Sequence, residues 1–292
     1  MKYVKQSFEE IDIDDFYQKI ALVAHNCYQV NRDKDQKKFV NSLLGFKHYA
    51  MIEHKVFVAK ISMHMHQELI ELYNRFIVLA KDDKDYYCAF SLRPILEAYQ
   101  ANQKGVLTDL INVLPEEVKE LFPQFISEDI EARLLSDEEI GRLPREVYDK
   151  VKFITIKIIT DRGVSHELVR HRIASYAQES TRYCNYSKDK FSNELTMIEP
   201  LDYKENQEMY DRTFSMIEKE YIELMKNKIA PEMARAILPN KLKTSIIITA
   251  SVEEFKTIFS LRCDQRAHPD IRDIMIPIQN YFYSKSYIEE TR

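Results

Sequence analysis

The chain has 292 residues with 42 Lys+Arg against 47 Asp+Glu, a formal net charge of −5, and 45% hydrophobic and 30% charged residues. That is the composition of an ordinary globular protein with length for one or two buried cores, too acidic for a dedicated DNA or RNA coat. Its four glycines, Gly45, Gly105, Gly141 and Gly163, are scattered, which excludes the clustered glycine loops of Rossmann and Walker sites. Cys27, Cys88, Cys184 and Cys263 lie far apart, with no CxxC pair and no secretory leader expected at the Lys-containing N-terminus. This pattern fits a reduced, cytoplasmic setting. No uncharged apolar run approaches the roughly 18 residues that cross a bilayer, so neither a membrane nor a nucleic acid is expected as partner.

The first fifty residues read as helices. Over residues 14–28, Phe16, Ile20, Val23 and Cys27 recur at helical spacing and make one apolar face. At 54–61 the pattern changes to β-branched and aromatic residues, and again in VKFITIKII at 151–159; both are expected strands of a sheet. Between them, residues 62–150 read as an inserted segment or subdomain of about ninety residues. It holds a strand at 76–80, the charged KDDKD, a strand at 86–90, and helices punctuated by Pro115, Pro123 and Pro144. His64 and His66 alternate as on a strand without a Cys, Asp or Glu cluster beside them; they read as core or surface histidines, and no metal is expected.

After Leu201 a long amphipathic helix repeats Tyr210, Phe214, Ile217, Tyr221 and Leu224 in steps of four and three, a stripe suited to core or subunit interface. Pro231 suits the first turn of a short helix that carries Arg235 and stops at Pro239. A strand at 244–250 runs into Ser251, which with Glu254 makes a capping box for a helix ending near Arg262. A last helix from Pro269 should bend or end at Pro277. The expected class is α+β, a central and mostly antiparallel sheet flanked by helices, in one domain over residues 1–292 with the 62–150 insertion.

The densest cationic stretch is SHELVRHRIASYAQESTRY at 165–183, where Arg170, His171, Arg172 and Arg182 accompany the hydroxyls of Ser175, Ser180 and Thr181. Guanidinium groups and short hydroxyls suit an oxyanion of phosphate type, because the forked donors bond two oxygens at once and stay charged at any working pH. On a helix, Arg170 and Arg172 would point about 200° apart and serve two ligands, or one ligand and a neighbouring subunit. The plainer alternatives are a solvated helix face for the Arg-His-Arg run and a salt bridge to Asp264 or Asp270 for Arg262.

The order RHRxxSxxxxSxRY, from Arg170 to Tyr183, closely resembles the motif of the flavin-dependent thymidylate synthases, the ThyX family. AHNCY at 24–28 is similar to that family's first-helix segment, and HYAMIEH at 48–54 to its element before the first strand. PEMARAILP at 231–239 and FSLRCDQRAHPDIR at 259–272 resemble its two late arginine-bearing segments. The similar stretches cover 14–61 and 151–285; the segment 62–150 lies outside the compact family pattern.

The resemblance implies reductive methylation of dUMP to dTMP, with 5,10-methylenetetrahydrofolate as carbon donor and NADPH as reductant through bound FAD, in a homotetramer with shared active sites. It implies flavin contacts from Ala50, Glu53, Arg170, His171, Arg172, Ser251, Val252, Glu253 and Thr257. Contacts to dUMP would come from Glu167, Arg170, Gln178, Glu179, Ser180, Thr181, Arg182, Arg235 and Arg262. Arg262 is the expected catalytic residue, since a fixed cation beside uracil favours negative charge on N3 and its neighbouring oxygens and raises electron density at C5. Cys184 and Cys263 are not expected to act as nucleophiles, because hydride supply replaces the thiolate attack used by folate-only synthases.

Three positions depart from the pattern: Glu167 where glutamine is frequent, Ser251 where asparagine is common, and Arg266 where histidine often approaches the flavin. Two further readings stay open. One is a related flavin-dependent reaction that leaves a hydroxymethyl group on the base. The other is a non-catalytic nucleotide or single-strand binder stacking bases on Tyr176, Tyr183 and Tyr186, although the broad basic surface such binding needs is missing.

Overall fold

A computed structural model describes residues 1–29, 35–126 and 130–289. Ten strands run through the described residues: β1 (Lys2–Val4), β2 (Ser7–Glu10), β3 (Val56–Ile61), β4 (Ile77–Lys81), β5 (Tyr86–Ser91), β6 (Ala132–Leu134), β7 (Phe153–Asp161), β8 (Ser175–Gln178), β9 (Thr196–Ile198) and β10 (Lys243–Ser251). The class is α+β, but the one central sheet expected from sequence is two four-stranded sheets, ordered β2-β7-β10-β8 and β4-β5-β3-β6, with every neighbour antiparallel. A separate parallel pair joins β1 to β9.

The first sheet is built on the isoleucine-rich β7 and β10, paired from Lys243 opposite Asp161 to Ser251 opposite Phe153. Side chains of a strand alternate between faces. Ile154, Ile156, Ile158, Ile246 and Ile248 therefore share one face, packed under the helices Val252–Arg262 and Pro269–Ser284 through Phe255, Phe259, Ile274 and Phe282. The opposite face carries the helix Phe16–Tyr28. There Val23 meets Ala177 and Ile247, and Asn26 donates from Nδ2 to the carbonyls of Ala177 (3.0 Å) and Ser245 (3.1 Å). This pins the AHNCY segment against the edge strand β8.

The second sheet joins the 62–150 segment to the N-terminal part. β3 lies between β5 and β6, so its two edges are closed by strands of that segment. The segment's Leu92, Ile95, Leu110 and Val118 share a core with Phe16, Tyr17, Ile20 and Ile52. Several local expectations change. The first fifty residues, expected to be helical, also hold β1 and β2, short polar strands whose identity comes from pairing with β9 and β7. His64 and His66 lie on the helix Met63–Leu72, capped by Ser62 Oγ, not on a strand. His64 faces Glu68 at 3.5 Å while His66 is buried beside Tyr86; among the described residues no His, Cys, Asp and Glu group could hold a metal ion. Pro277 does not end its helix, which runs from Pro269 to Ser284. Pro277 and Asp273, whose carbonyl loses its donor, are both exposed, and the buried face of Ile271, Ile274, Ile278 and Phe282 holds the helix together. No helix is long and apolar enough to cross a membrane among the described residues.

Candidate active site

The Arg-His-Arg run is not helical. The helix Arg162–Leu168, capped by Asp161 through Val164 N (2.7 Å), stops short of it, and Arg170, His171 and Arg172 form the turn leading into β8. Helical spacing therefore does not separate the arginines. Instead the turn exposes Arg170 and Arg172 and buries His171 between them.

His171 meets Arg262 from the far end of the chain. Arg262 Nε donates to His171 Nε2 (3.0 Å), Nη1 to Glu167 Oε2 (2.8 Å) and Nη2 to the Glu167 carbonyl (3.0 Å). Neither Asp264 nor Asp270 is its partner: Asp264 holds Arg266, and Asp270 holds Lys241. Burial, and then the charge of Arg262, hold the His171 imidazole below its ordinary pKa. Its Nε2 accepts from Arg262, so the ring proton belongs on Nδ1, which faces Glu254 Oε1 at 3.8 Å. Burial, then Glu253, push the Glu254 carboxyl up.

A second group surrounds Glu53, which lies at the end of the short 3-10 turn Met51–His54 and is 6% exposed. Its Oε1 is bonded by Arg93 and its Oε2 accepts from Ser175 Oγ (2.8 Å), with Arg75 Nη2 at 4.0 Å. A cavity of ≈ 30 Å³ beside Glu53 is lined by Arg75, Phe76, Ser91, Arg172 and Ser175. Arg93 also lines a second cavity with Tyr28, His48, Tyr49, Ala50 and Met51. The neighbouring His54 is fully buried; its Nδ1 meets Thr249 Oγ1 at 2.8 Å, and burial followed by the charge of Lys19 takes its pKa down to about 3.

The third group follows β8. Gln178 Nε2 donates to Ser165 Oγ (2.8 Å) and Thr244 Oγ1 (3.1 Å). Glu179, 1% exposed, accepts from Tyr186 Oη (2.9 Å) and pairs with Lys243 Nζ (2.7 Å). Both side chains are thus engaged inside the protein. Ser180 N donates to the Cys27 carbonyl (3.0 Å), and Thr181 is buried. Arg182 reaches Glu232 Oε2 (3.0 Å) on the short helix Pro231–Ala234, which Arg235 follows, exposed. The Arg182 guanidinium lies 5.4 Å from the Tyr183 ring centre, and Tyr183 packs beside Tyr28, which lines the Ala50 cavity. Contacts therefore run from Arg182 through Tyr183 to Tyr28, which shares a cavity with Arg93, the partner of Glu53.

Ser251 caps the helix Val252–Arg262 by accepting from Glu254 N (3.2 Å). Only this half of the expected capping box is present as an observed bond; the Glu254 side chain faces His171. Val252 is fully buried, whereas Glu253 and Thr257 are exposed one turn apart on the outer face. Sequence reading did not single out Arg75, Ser91, Arg93, Arg162 or Lys243. Arg93 and Glu53 are 40 residues apart, so no local spacing could have signalled their bond.

The fold and site define an α+β protein that gathers guanidinium groups, buried carboxylates and tyrosines from both ends of the chain onto one edge strand. The family model described as thymidylate synthase complementing protein matches residues 147–285. The flavin-dependent thymidylate synthase of Pyrococcus abyssi is 32% identical over 168 residues, 56% of this chain and 67% of that protein. Those of Thermococcus onnurineus and Geobacter sulfurreducens are 38% and 36% identical over 116 and 115 residues, 39% of this chain and 46% and 49% of theirs. The matched part thus spans two thirds of the first relative and about half of the other two. The chain belongs to the family of flavin-dependent thymidylate synthases.

Proposed function

We propose that the protein converts dUMP to dTMP, taking carbon from 5,10-methylenetetrahydrofolate and reducing equivalents from NADPH, with FAD as cofactor and a homotetrameric assembly. The supporting observation is convergence. Glu53 of the 48–54 segment bonds Ser175 of the arginine motif, and Arg262 of the late segment bonds Glu167 and His171 at its other side.

The residues present suit a flavin dinucleotide. Ala50 and Arg93 line one cavity, Glu53, Ser91 and Arg172 line another, Arg93 bonds Glu53, and among the described residues the buried Ser91 hydroxyl has no hydrogen-bond partner. In our reading Ala50, Glu53, Arg170, His171 and Arg172 hold the flavin, together with Ser251, Val252, Glu253 and Thr257 at the capped helix start. Bound FAD would supply hydride transfer from NADPH to the carbon unit.

Substrate binding falls to the side chains of Glu167, Arg170, Ser180, Thr181, Arg182, Arg235 and Arg262, and to the backbone at Gln178 and Glu179, whose side chains are engaged inside the protein. Arg182, paired with Glu232, and Arg235 are exposed cations whose chemistry suits a phosphate, with Gln178 and Glu179 fixing the strand that carries the motif. Arg262 uses three N–H groups on Glu167 and His171, leaving two of its five for a uracil anion. Glu167 holds the guanidinium in place and offsets part of its charge. No nucleophile is required from the chain: Cys184 is fully buried, and burial pushes the Cys263 thiol up to about 11, so neither is a ready thiolate.

The purified protein should carry a flavin absorption band that NADPH bleaches. Colourless protein that cannot take up added FAD would leave a nucleotide binder as the better description.

A further inference from the structure

The 62–150 segment lies outside the family pattern, yet two of its arginines reach Glu53. The helix Leu92–Gln100 begins at Ser91, its N-cap residue, whose side chain makes no capping bond. Ser91 is 3% exposed, its hydroxyl has no partner among the described residues, and it lines the cavity that also touches Glu53, Arg75, Arg172 and Ser175. An N-cap serine normally accepts from the N–H of the second or third helical residue; here the third is Pro94, which has no N–H, and the N–H groups of Leu92 and Arg93 lack that side-chain acceptor. A helix N-terminus carries partial positive charge and free donors.

The charge around it has the same sign. Arg75 and Arg93 both lie over the Phe76 ring, their guanidinium carbons 4.5 and 4.8 Å from its centre. Arg93 is held by Glu53 and Glu97, and Arg75 touches Glu53 only at 4.0 Å while remaining 64% exposed. Arg172 has no ion-pair partner among the described residues. Three guanidinium groups thus face two carboxylates, beside a cavity with room for one or two oxygen atoms.

We infer that Arg75, Ser91 and the N-terminus of the helix Leu92–Gln100, with Arg172 opposite, form an oxyanion subsite that the 62–150 segment adds to the flavin side of the active site. The assignment of that side rests on the proposed function. The anion is a phosphate-type or carboxylate oxygen pair, supplied by the FAD pyrophosphate or by the glutamate tail of the folate. Guanidinium and helix N-terminal N–H groups donate to either.

Arg75→Ala and Ser91→Ala separate the possibilities. Arg75 is exposed and the Ser91 hydroxyl is unpaired, so both variants should fold with wild-type stability. Dissociation constants are measured by titration calorimetry for FAD, FMN, tetrahydrofolate, tetrahydropteroate and inorganic pyrophosphate. A loss of about tenfold or more in Arg75→Ala, and several-fold in Ser91→Ala, is expected for one natural ligand and for pyrophosphate, shrinking as salt rises. Loss for FAD but not FMN assigns the dinucleotide pyrophosphate. Loss for tetrahydrofolate but not tetrahydropteroate assigns the glutamate tail. Variants that bind all five probes as the wild type does would overturn the subsite while leaving the flavin reading intact. Weakened pyrophosphate binding in a protein that takes no FAD would keep the subsite and overturn the flavin reading.

Discussion

Arg262 is bonded on one side by a carboxylate and on the other by a neutral imidazole, an arrangement that fixes a cation without fully neutralising it. Arg262→Ala should keep bound flavin and lose at least tenfold in kcat, measured as dTMP formed per flavin; near-normal turnover would remove Arg262 from the chemistry. Glu167→Gln, which keeps a side-chain acceptor for the guanidinium but removes the negative charge, should lower the KM for dUMP several-fold. A raised KM with unchanged flavin content would show instead that the carboxylate is needed to position Arg262. Cys184→Ala and Cys263→Ala should retain turnover within about threefold, and loss of turnover in folded, flavin-loaded variants would require a thiol step. At this scale the motif was legible because RHRxxSxxxxSxRY is continuous in sequence. The partners of Arg262 were not: its bonds to Glu167 and His171 span 95 and 91 residues, and the nearby Asp264 and Asp270 that spacing suggested are bound to other cations.

Helices and long strands came through the sequence where burial is one-sided and periodic. The isoleucine runs of β7 and β10, the Pro231 turn and the Ser251 start of the helix Val252–Arg262 all follow from alternation or capping chemistry. Strands β1, β2, β6, β8 and β9 have at most four residues each, too few to show a period, and exist because a partner strand satisfies their backbone. The helical reading of Arg170 to Arg172 failed for a related reason: the helix before it ends at Leu168, and the chain turns so that Tyr176 Oη can bond the Leu168 carbonyl at 2.6 Å. Ser251→Ala should lower stability by about 1 kcal/mol through loss of its bond to Glu254 N. Urea denaturation checks this, with an unchanged midpoint showing that solvent or another group caps the helix.

Across the whole molecule, one helix, Phe16–Tyr28, serves both sheets: Phe16 and Ile20 enter the core shared with the 62–150 segment, while Val23 and Asn26 pack on β8 and β10. Composition and periodicity could not show that the middle segment shares a core with the first helix, because the contacts are between positions scores of residues apart. His54 sits between the two sheets and carries a pH signature. Its pKa is about 3 in the folded chain against an ordinary 6.5, so the unfolded chain takes up the proton first. Its contribution to stability is therefore complete above pH 6.5 and is lost as pH falls toward 3, with a slope of up to about 1.4 kcal/mol per pH unit. His54→Gln should flatten the acid limb of stability between pH 6 and pH 4 in urea titrations, and an unchanged limb would assign it to other groups.

Purified, FAD-loaded protein incubated with dUMP, 5,10-methylenetetrahydrofolate and NADPH should yield a nucleotide heavier than dUMP by one CH2 group, read by mass spectrometry. Unaltered dUMP from flavin-loaded protein, or a product heavier by CH2O, would contradict the assignment of methyl transfer to this convergence of arginines.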